Sequence, residues 1–260
     1  MPVNRHSLDG PTLASLLHRE RVEWHDHAEP QLIHPSSGVL QVSTPIGTWV
    51  VPPHRAVWIP ATVPHAHQAH GPTQMRTLVF PEAVDPLRLD RPTVLAVSPL
   101  LREVIIALTE DDRLGPPQRA NLERVALDQL RRVEALPLCL PSPHDDRLRA
   151  IEALLRADPA DQRTLAALGT AVGASERTLS RLFRAETTMT FPQWRAQLRL
   201  HHALSLLAAG TPVTSVATAC GYSSSSAFIE AFRNAFGSTP GRYYQPSGKG
   251  SRAATGQAQP

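Results

Sequence analysis

Two groups of side chains in this 260-residue chain have the type and spacing to do chemistry. The first is a set of histidines near the N-terminus. His25 and His27 are two residues apart, so on a strand they share a face. Gln31 follows, and His65 comes directly after the proline-punctuated stretch from Trp58 to Pro64. Neutral imidazoles donate and accept hydrogen bonds, and they also ligate cations. If His25, His27, Gln31 and His65 converge, they form the floor of an effector site, with or without a divalent metal. Of the other histidines, His54, His67 and His70 fit no ligand spacing and are expected to face solvent. The second group is a set of arginines, Arg177, Arg181 and Arg184, with Arg233 further on. A guanidinium can give two bonds to guanine O6 and N7, or it can hold a phosphate.

The elements that must position these arginines occur twice. Leu165, Leu168, Gly173, Leu179 and Phe183 are matched by Val213, Val216, Gly221, Phe228 and Phe232. In each copy an apolar helix reaches a glycine, which suits a chain reversal at positive φ. A serine then stands at the N-cap, Ser175 in the first copy and Ser223 or Ser224 in the second. A second helix follows. This is a helix-turn-helix pattern, and an amphipathic helix from Phe191 to Ala209 joins the copies. Such a helix spans about 28 Å. One DNA turn is about 34 Å, so the two second helices could enter successive major grooves.

Helical spacing buries Leu179, Leu182 and Phe183 and leaves Arg177, Thr178, Ser180, Arg181 and Arg184 outside. Arg177 and Arg181 are the expected base readers, with Thr178 and Ser180 beside them; Arg184 is expected on phosphate. In the second copy Ser225, Ser226, Ile229 and Glu230 are expected to face bases, and Ser224 and Arg233 phosphates. Serines discriminate bases weakly, so the second helix should contribute less specificity.

Residues 22 to 80 read differently. Short apolar stretches (Val39 to Val42, Trp49 to Val51, Val57 to Ile59, Leu78 to Phe80) are cut by prolines and glycines. That is a small barrel or sandwich in sequence. Trp24, Trp49 and Trp58 are expected in its core. A helix should follow from Ser98 to Leu108, with Ser98 as cap, and another from Arg119 to Leu136. The second carries the stripe Leu122, Val125, Leu130 and Val133, expected either to bury against a second subunit or to pack on its own barrel. The Pro-rich stretch 137–143 opens the linker, and the tail 246–260 is expected to be disordered.

Charge is uneven. Residues 1–146 hold 13 arginines against 17 acids, net −4, while 147–260 hold 13 basic residues against 6 acids, net +7. The basic half is the half with the repeat, as phosphate binding requires. Cys139 and Cys220 suggest no disulfide framework. Neither a membrane span nor a signal-peptide core is visible, so a cytoplasmic protein is expected.

With these residues in view, the chain resembles two known patterns. His25, His27, Gln31 and His65 resemble the cupin arrangement of His-x-His, Glu and a later His, with Gln31 in the Glu position. Ala174 to Arg184, Trp194 to Arg199, Gly221-Tyr222, Ala227-Phe228, Phe232-Arg233, Phe236 to Pro240 and Tyr243 resemble the AraC/XylS family of bacterial transcription regulators. Two departures stand out: Thr188 where that family usually has glycine, and Ser223 where an acidic residue is frequent. The resemblance implies an α+β protein of two domains. Residues 1–136 would be a cupin-like barrel with dimerisation helices, 137–146 a linker, and 147–245 an all-α double helix-turn-helix. It implies no enzyme but a regulator that binds a double-stranded DNA operator. A small effector would control it, it would act as a homodimer, and as an activator it would meet RNA polymerase. The alternative is a metal-dependent cupin enzyme fused to a DNA-binding module. Gln31 in place of a carboxylate weighs against that alternative.

Overall fold

A computed structural model of the chain describes residues 4–5, 10–81, 87–111, 113–130, 135–136, 139–237 and 239–243. Val133 of the apolar stripe and the tail 246–260 lie outside them. The N-terminal half is one sheet. Its strands are β1 (Asn4–Arg5), β2 (Thr12–Leu16), β3 (Arg21–Asp26), β4 (Gln31–Thr44), β5 (Gly47–Val51), β6 (Arg55–Ile59), β7 (His65–Val79), β8 (Thr93–Ala96), β9 (Ala135–Leu136) and β10 (Leu140–Pro141). The main path runs β1-β3-β7-β4-β6-β8-β9, with β2 beside β7 and with β5 between β4 and β10. Among the described residues no pairing joins the ends of this path, so the expected closed barrel is an open sheet.

The long strands β4 and β7 are antiparallel along most of their length, and the register slips on either side of Ser37. Gly38 explains one slip: at φ 75°, a Cβ there would lie 2.3 Å from the Pro72 carbonyl oxygen. Side chains alternate across the sheet, as the pleat requires. Leu32, Trp58, Leu78 and Leu95 face one core, which is covered by α1 (Pro99–Glu110) and α2 (Pro116–Leu130). Ile33, Val57, Ile59 and Val94 face another. Trp49 and Trp58 are buried as expected, and Trp24 is half-buried.

Ser98 caps α1, its Oγ accepting from Leu101 N at 3.1 Å. The next helix departs from expectation at both ends. It begins at Pro116, where two prolines need no hydrogen bond for their missing N–H groups. Its described part runs to Leu130, and Ala135 and Leu136, expected to be helical, extend the sheet as β9, paired with Leu95 and Val94. The stripe splits accordingly. Leu130 is fully buried against the sheet and α1, Leu122 is half-buried on the same core, and Val125 is exposed. The linker is docked from residue 139 onward: β10 pairs with β5, and Leu140 is fully buried.

The C-terminal half is helical: α3 (Asp146–Ala157), α4 (Leu165–Val172), α5 (Glu176–Thr187), α6 (Phe191–Ala208), α7 (Val213–Ala219), α8 (Ser225–Phe236) and the short α9 (Pro240–Tyr243). Sequence patterning did not anticipate α3. Its Leu148, Ile151 and Leu155 close the core of the first motif. Helix α6 divides its labour. Phe191, Trp194 and Leu198 belong to the first motif's core, while Leu200, Ala203 and Leu204 belong to the second's. That second core is continuous with the sheet, where α6 meets β4, β5 and β7. No helix among the described residues is long and apolar enough to cross a membrane.

Candidate nucleic-acid interface and histidine cluster

Each helix-turn-helix is built by the local chemistry its sequence carries. Gly173 ends α4 in the left-handed region at φ 68°, and Ala174 N donates to Gly169 O at 2.9 Å. A Cβ on Gly169 would lie 2.4 Å from the Ala174 carbonyl oxygen, so the turn folds back over this glycine. Ser175 Oγ then accepts from Thr178 N at 3.3 Å and starts α5. Leu179 and Phe183 point into the core, packed by Trp194. The opposite side leaves Arg177, Arg181 and Arg184 exposed, with Thr178 and Ser180 half-buried beside them. No acid of the described residues forms an ion pair with these three arginines.

Helix α7 begins at Val213, with Pro212 in the cap position rather than inside the helix. Gly221 makes the reversal at φ 71°. Ser224, not Ser223, caps α8, accepting from Ala227 N at 3.2 Å. Phe228 and Phe232 are buried, while Ser224, Ser226, Glu230 and Arg233 are exposed and Ser225 is half-buried. Ile229 leans on the core, so only part of its side chain faces outward. Thr188 ends α5 at φ 58°, the left-handed conformation that a glycine would adopt without strain.

Two residues that sequence reading gave no role hold the motifs together. Gln162 Nε2 donates to Gly221 O at 2.8 Å. Arg199, on α6, donates to Pro159 O and Asp161 O, each at 2.9 Å. The loop between α3 and α4 is thereby tied to the turn of the second motif. Arg199 was visible within the Trp194 to Arg199 motif; Gln162 carried no signal. The linker is tied down as well, by Trp194 Nε1 donating to Pro141 O at 3.1 Å and Gln197 Nε2 to Cys139 O at 2.8 Å.

In the sheet, the four residues singled out from sequence are brought together. His25 and His65 are register partners on β3 and β7, with ring centroids 4.2 Å apart. His27 lies 5.1 Å from His65 by the same measure. One ring nitrogen from each of His25, His27 and His65 lies within 4.8 Å of the others. The tautomers follow from the partners. Nδ1–H of His25 donates to Glu23 O at 2.8 Å, that of His27 to Glu29 O at 2.5 Å, and that of His65 to Val63 O at 2.8 Å. The lone pair of each ring is therefore on Nε2. Gln31 Nε2 donates to that of His65 at 2.6 Å, and His27 Nε2 is buried with no hydrogen-bond partner.

The histidines expected to face solvent do not. His67 is buried and stacks on His65 at 5.1 Å; alternation on β7 puts residues 65 and 67 on one face. His54 is half-buried against the Tyr243 ring, and His70 is half-buried where the sheet meets α6. Burial disfavours charge on these rings: it lowers the pKa of His65 to about 3 and that of His67 well below the ordinary value. His27 is also lowered, by burial first. The Nε2 lone pair of His65 is already taken by the Gln31 amide, so the cluster can accept a cation through all three rings only if Gln31 releases His65.

The chain is similar to several known proteins. Residues 168–245 match the family model of a helix-turn-helix domain. The HTH-type transcriptional regulator NimR of Escherichia coli K12 is 35% identical over 225 residues, covering 84% of this chain and 81% of that protein. The HTH-type transcriptional regulator RipA of Corynebacterium glutamicum is 37% identical over 103 residues, 40% of this chain and 31% of that protein. A solved structure of ToxT from Vibrio cholerae covers 90% of this chain and 97% of its own, at 8% identity and a TM-score of 0.40.

Proposed function

This chain belongs to the AraC family of HTH-type transcriptional regulators, and on that premise we propose that its DNA binding is controlled through the histidine cluster of the sheet. It is a DNA-binding transcriptional regulator and not an enzyme. The finer reading concerns what the sensor takes. The carrying observation is the trio of carbonyl-anchored imidazoles, one ring nitrogen of each lying within 4.8 Å of the others. Metal-bound histidines are held in the same way, the other ring N–H donating to a carbonyl. Exposures of 8%, 1% and 0% leave His25, His27 and His65 accessible to an ion more readily than to an organic molecule. The ligand is therefore a first-row divalent cation of the kind imidazole prefers, such as Zn²⁺. His25, His27 and His65 hold it, and the Gln31 amide gives up its bond to His65 Nε2 when the cation binds. In this reading the sheet is a cupin-like sensor wall.

On the DNA side, α5 reads bases through Arg177 and Arg181, assisted by Thr178 and Ser180. Arg184, Ser224 and Arg233 hold phosphates, and α8 adds weaker readout through Ser225, Ser226, Glu230 and the exposed part of Ile229. Two copies of the chain engage paired half-sites, because joining two DNA-binding modules raises affinity without new contacts. The exposed face of α2 around Val125 is the surface for that pairing.

The test uses full-length protein, DNA selected by it from a random pool, and Zn²⁺ titrated against a chromophoric chelator. One equivalent should bind, and operator affinity should change on loading. His27→Ala with His65→Ala should remove the metal response and leave metal-free operator binding close to wild type. Absence of stoichiometric binding, or an unchanged response in the double variant, would overturn the cation reading.

A further inference from the structure

The sheet carries a fourth imidazole beside the three assigned to the cation. His65 and His67 share a face of β7, and His25, the register partner of His65, is followed by His27 where β3 ends. Two His-x-His pairs thus stand side by side on neighbouring strands. His67 is 4% exposed, and its ring lies 5.1 Å from that of His65 and 5.6 Å from that of His25. Within the trio itself, the rings of His25 and His27 are 6.1 Å apart. We propose that His67 is the fourth ligand of the cation, so that the loaded site is a closed set of four imidazoles with no position left for water or substrate. This rests on the cation reading and extends it.

Three observations carry it. The first is the tautomer of His67. Its Nδ1 lies 3.2 Å from Met75 Sδ, and a thioether sulfur only accepts, so Nδ1 bears the proton and the lone pair is on Nε2. The other three rings are set the same way, with backbone carbonyls in place of the sulfur. The second is that His67 Nε2 is buried with no hydrogen-bond partner, as His27 Nε2 is. Buried acceptors are rarely left unpaired, and one cation would engage both. The third is the want of another fourth ligand. Gln31 turns an N–H toward His65 rather than a lone pair, and among the described residues the group able to hold a cation contains no carboxylate.

His67 is not among the three residues whose nitrogens already lie within 4.8 Å of one another. Its ring therefore turns toward the trio on loading, about a torsion whose preferences are broad, and the bond it makes to the Met75 sulfur is a weak one. The fourth ligand gives the site its character. Catalytic zinc keeps one position open for water, whereas a closed four-ligand set holds the metal without turnover. That suits a regulator, which registers the cation and does no chemistry with it. Loading also ties β3 to β7 across the slip in their register between Val22 and His25.

The experiment titrates full-length protein with Zn²⁺ against a chromophoric chelator and, separately, with Co²⁺. Visible absorption of Co²⁺ is intense in a tetrahedral four-ligand site and weak once water raises the coordination number. Wild type should show the intense bands. His67→Ala should lose them and bind Zn²⁺ on the order of a hundredfold more weakly. Added imidazole, which fits the space vacated, should restore the bands. Met75→Leu, close in volume, removes only the acceptor that orients the ring and should weaken Zn²⁺ roughly tenfold. Gln31→Leu should tighten binding, because nothing then competes for His65 Nε2. Intense bands and unchanged affinity in His67→Ala would overturn the proposal and leave a three-histidine site standing. A loss in Gln31→Leu as large as that in His67→Ala would overturn it too, by giving Gln31 the fourth place. If His67→Ala fails to fold, Met75→Leu decides, and unchanged Zn²⁺ affinity there counts against His67. A wild type that binds neither ion removes the cation reading itself, and the fourth ligand with it.

Discussion

Gln162 Nε2 and the carbonyl oxygen of Gly221 are 2.8 Å apart across 59 positions of sequence, and this bond sits where the two helix-turn-helix motifs touch. The glycine is needed there twice over. Its φ is 71°, and a Cβ would lie 2.8 Å from Ala160 Cα and 2.9 Å from the Arg199 guanidinium. The spacing of the two recognition helices is thus set by a backbone approach that only glycine allows, with Gln162 and Arg199 closing around it.

Gly221→Ala should therefore cost more than an ordinary glycine substitution. The left-handed conformation alone costs about 1–2 kcal/mol in an L-residue, and displacing the Ala160 backbone adds to it. Thermal unfolding should show the loss. Operator affinity should fall further than stability accounts for, because the two helices no longer share one spacing. Gln162→Ala, which removes one exposed bond, should cost only about 1 kcal/mol. Equal effects of the two changes would argue against the close approach as the determinant.

The arginines of α5 and α8 should separate by role. Arg177→Ala or Arg181→Ala should each cost about 1–3 kcal/mol of operator binding and relax specificity at one base position. Arg233→Ala should weaken binding to every sequence alike and reduce the salt slope by about one unit. Binding to a panel of operator variants at several salt concentrations distinguishes the two patterns. If Arg181→Ala leaves the ranking of variants unchanged, it does not read bases.

Thr188 holds φ 58° at the end of α5. A β-branched residue is strained there, by about 1–2 kcal/mol relative to a right-handed conformation. Glycine would relieve that strain but lose up to about 1 kcal/mol through unfolded-chain entropy. Thr188→Gly should thus raise stability by up to about 1 kcal/mol, while Thr188→Val should lower it. The bond from Met189 N to Thr187 Oγ1, 3.3 Å, survives both changes. Chemical denaturation of the three proteins gives the order, and a less stable glycine variant would remove the strain argument.

The DNA-binding half was legible because its signals are local. Caps such as Ser175 and reversals such as Gly173 depend on neighbours a few residues away, and the apolar spacing repeats. His25 and His27 were legible through strand alternation, and His65 through the cupin resemblance. What stayed hidden depends on contacts between distant segments. His67, two residues beyond His65, shares the face of the cluster only because β7 is one long continuous strand. Leu136 leaves helical geometry because β8 offers an open edge. The place of His70 was invisible because nothing in the sequence of β7 says that α6 will lie beside it. Gln162 is an ordinary loop glutamine until Gly221 arrives beside it.

Buried histidines make stability depend on pH, and His34 is a case away from the cluster. It is fully buried, its Nδ1–H donates to Arg55 O at 3.0 Å, and burial lowers its pKa from 6.5 to about 4. The unfolded chain therefore binds a proton below pH 6.5 that the folded chain refuses. The contribution is present in full above about pH 6.5 and is lost as pH falls toward 4, reaching up to about 3 kcal/mol for a shift of this size. His54 follows the same sign, with a pKa of about 4, lowered by burial first. Unfolding free energy measured from pH 7.5 to 4.5 should fall, and His34→Asn should flatten the curve by close to one proton. An equally steep curve in that variant would show that His34 is not the group titrating.

The surface of α2 decides the question of assembly. Leu130 is fully buried against Leu101, Ile105 and the sheet within one subunit. Leu130→Arg should therefore unfold the N-terminal half rather than yield a clean monomer, at a cost above about 3 kcal/mol for an unpaired buried charge. Val125, at 36% exposure, is the stripe position that can meet a partner. Val125→Arg should leave the unfolding transition nearly unchanged, since exposed substitutions usually lie within about 0.5 kcal/mol. If two copies pair through this face, the variant should sediment as monomer and bind paired half-sites with the affinity of a single half-site, losing the gain from linkage. A Val125→Arg protein that is folded and still dimeric would move the interface off α2 altogether. A wild-type protein that sediments as monomer at all concentrations would remove the dimer itself.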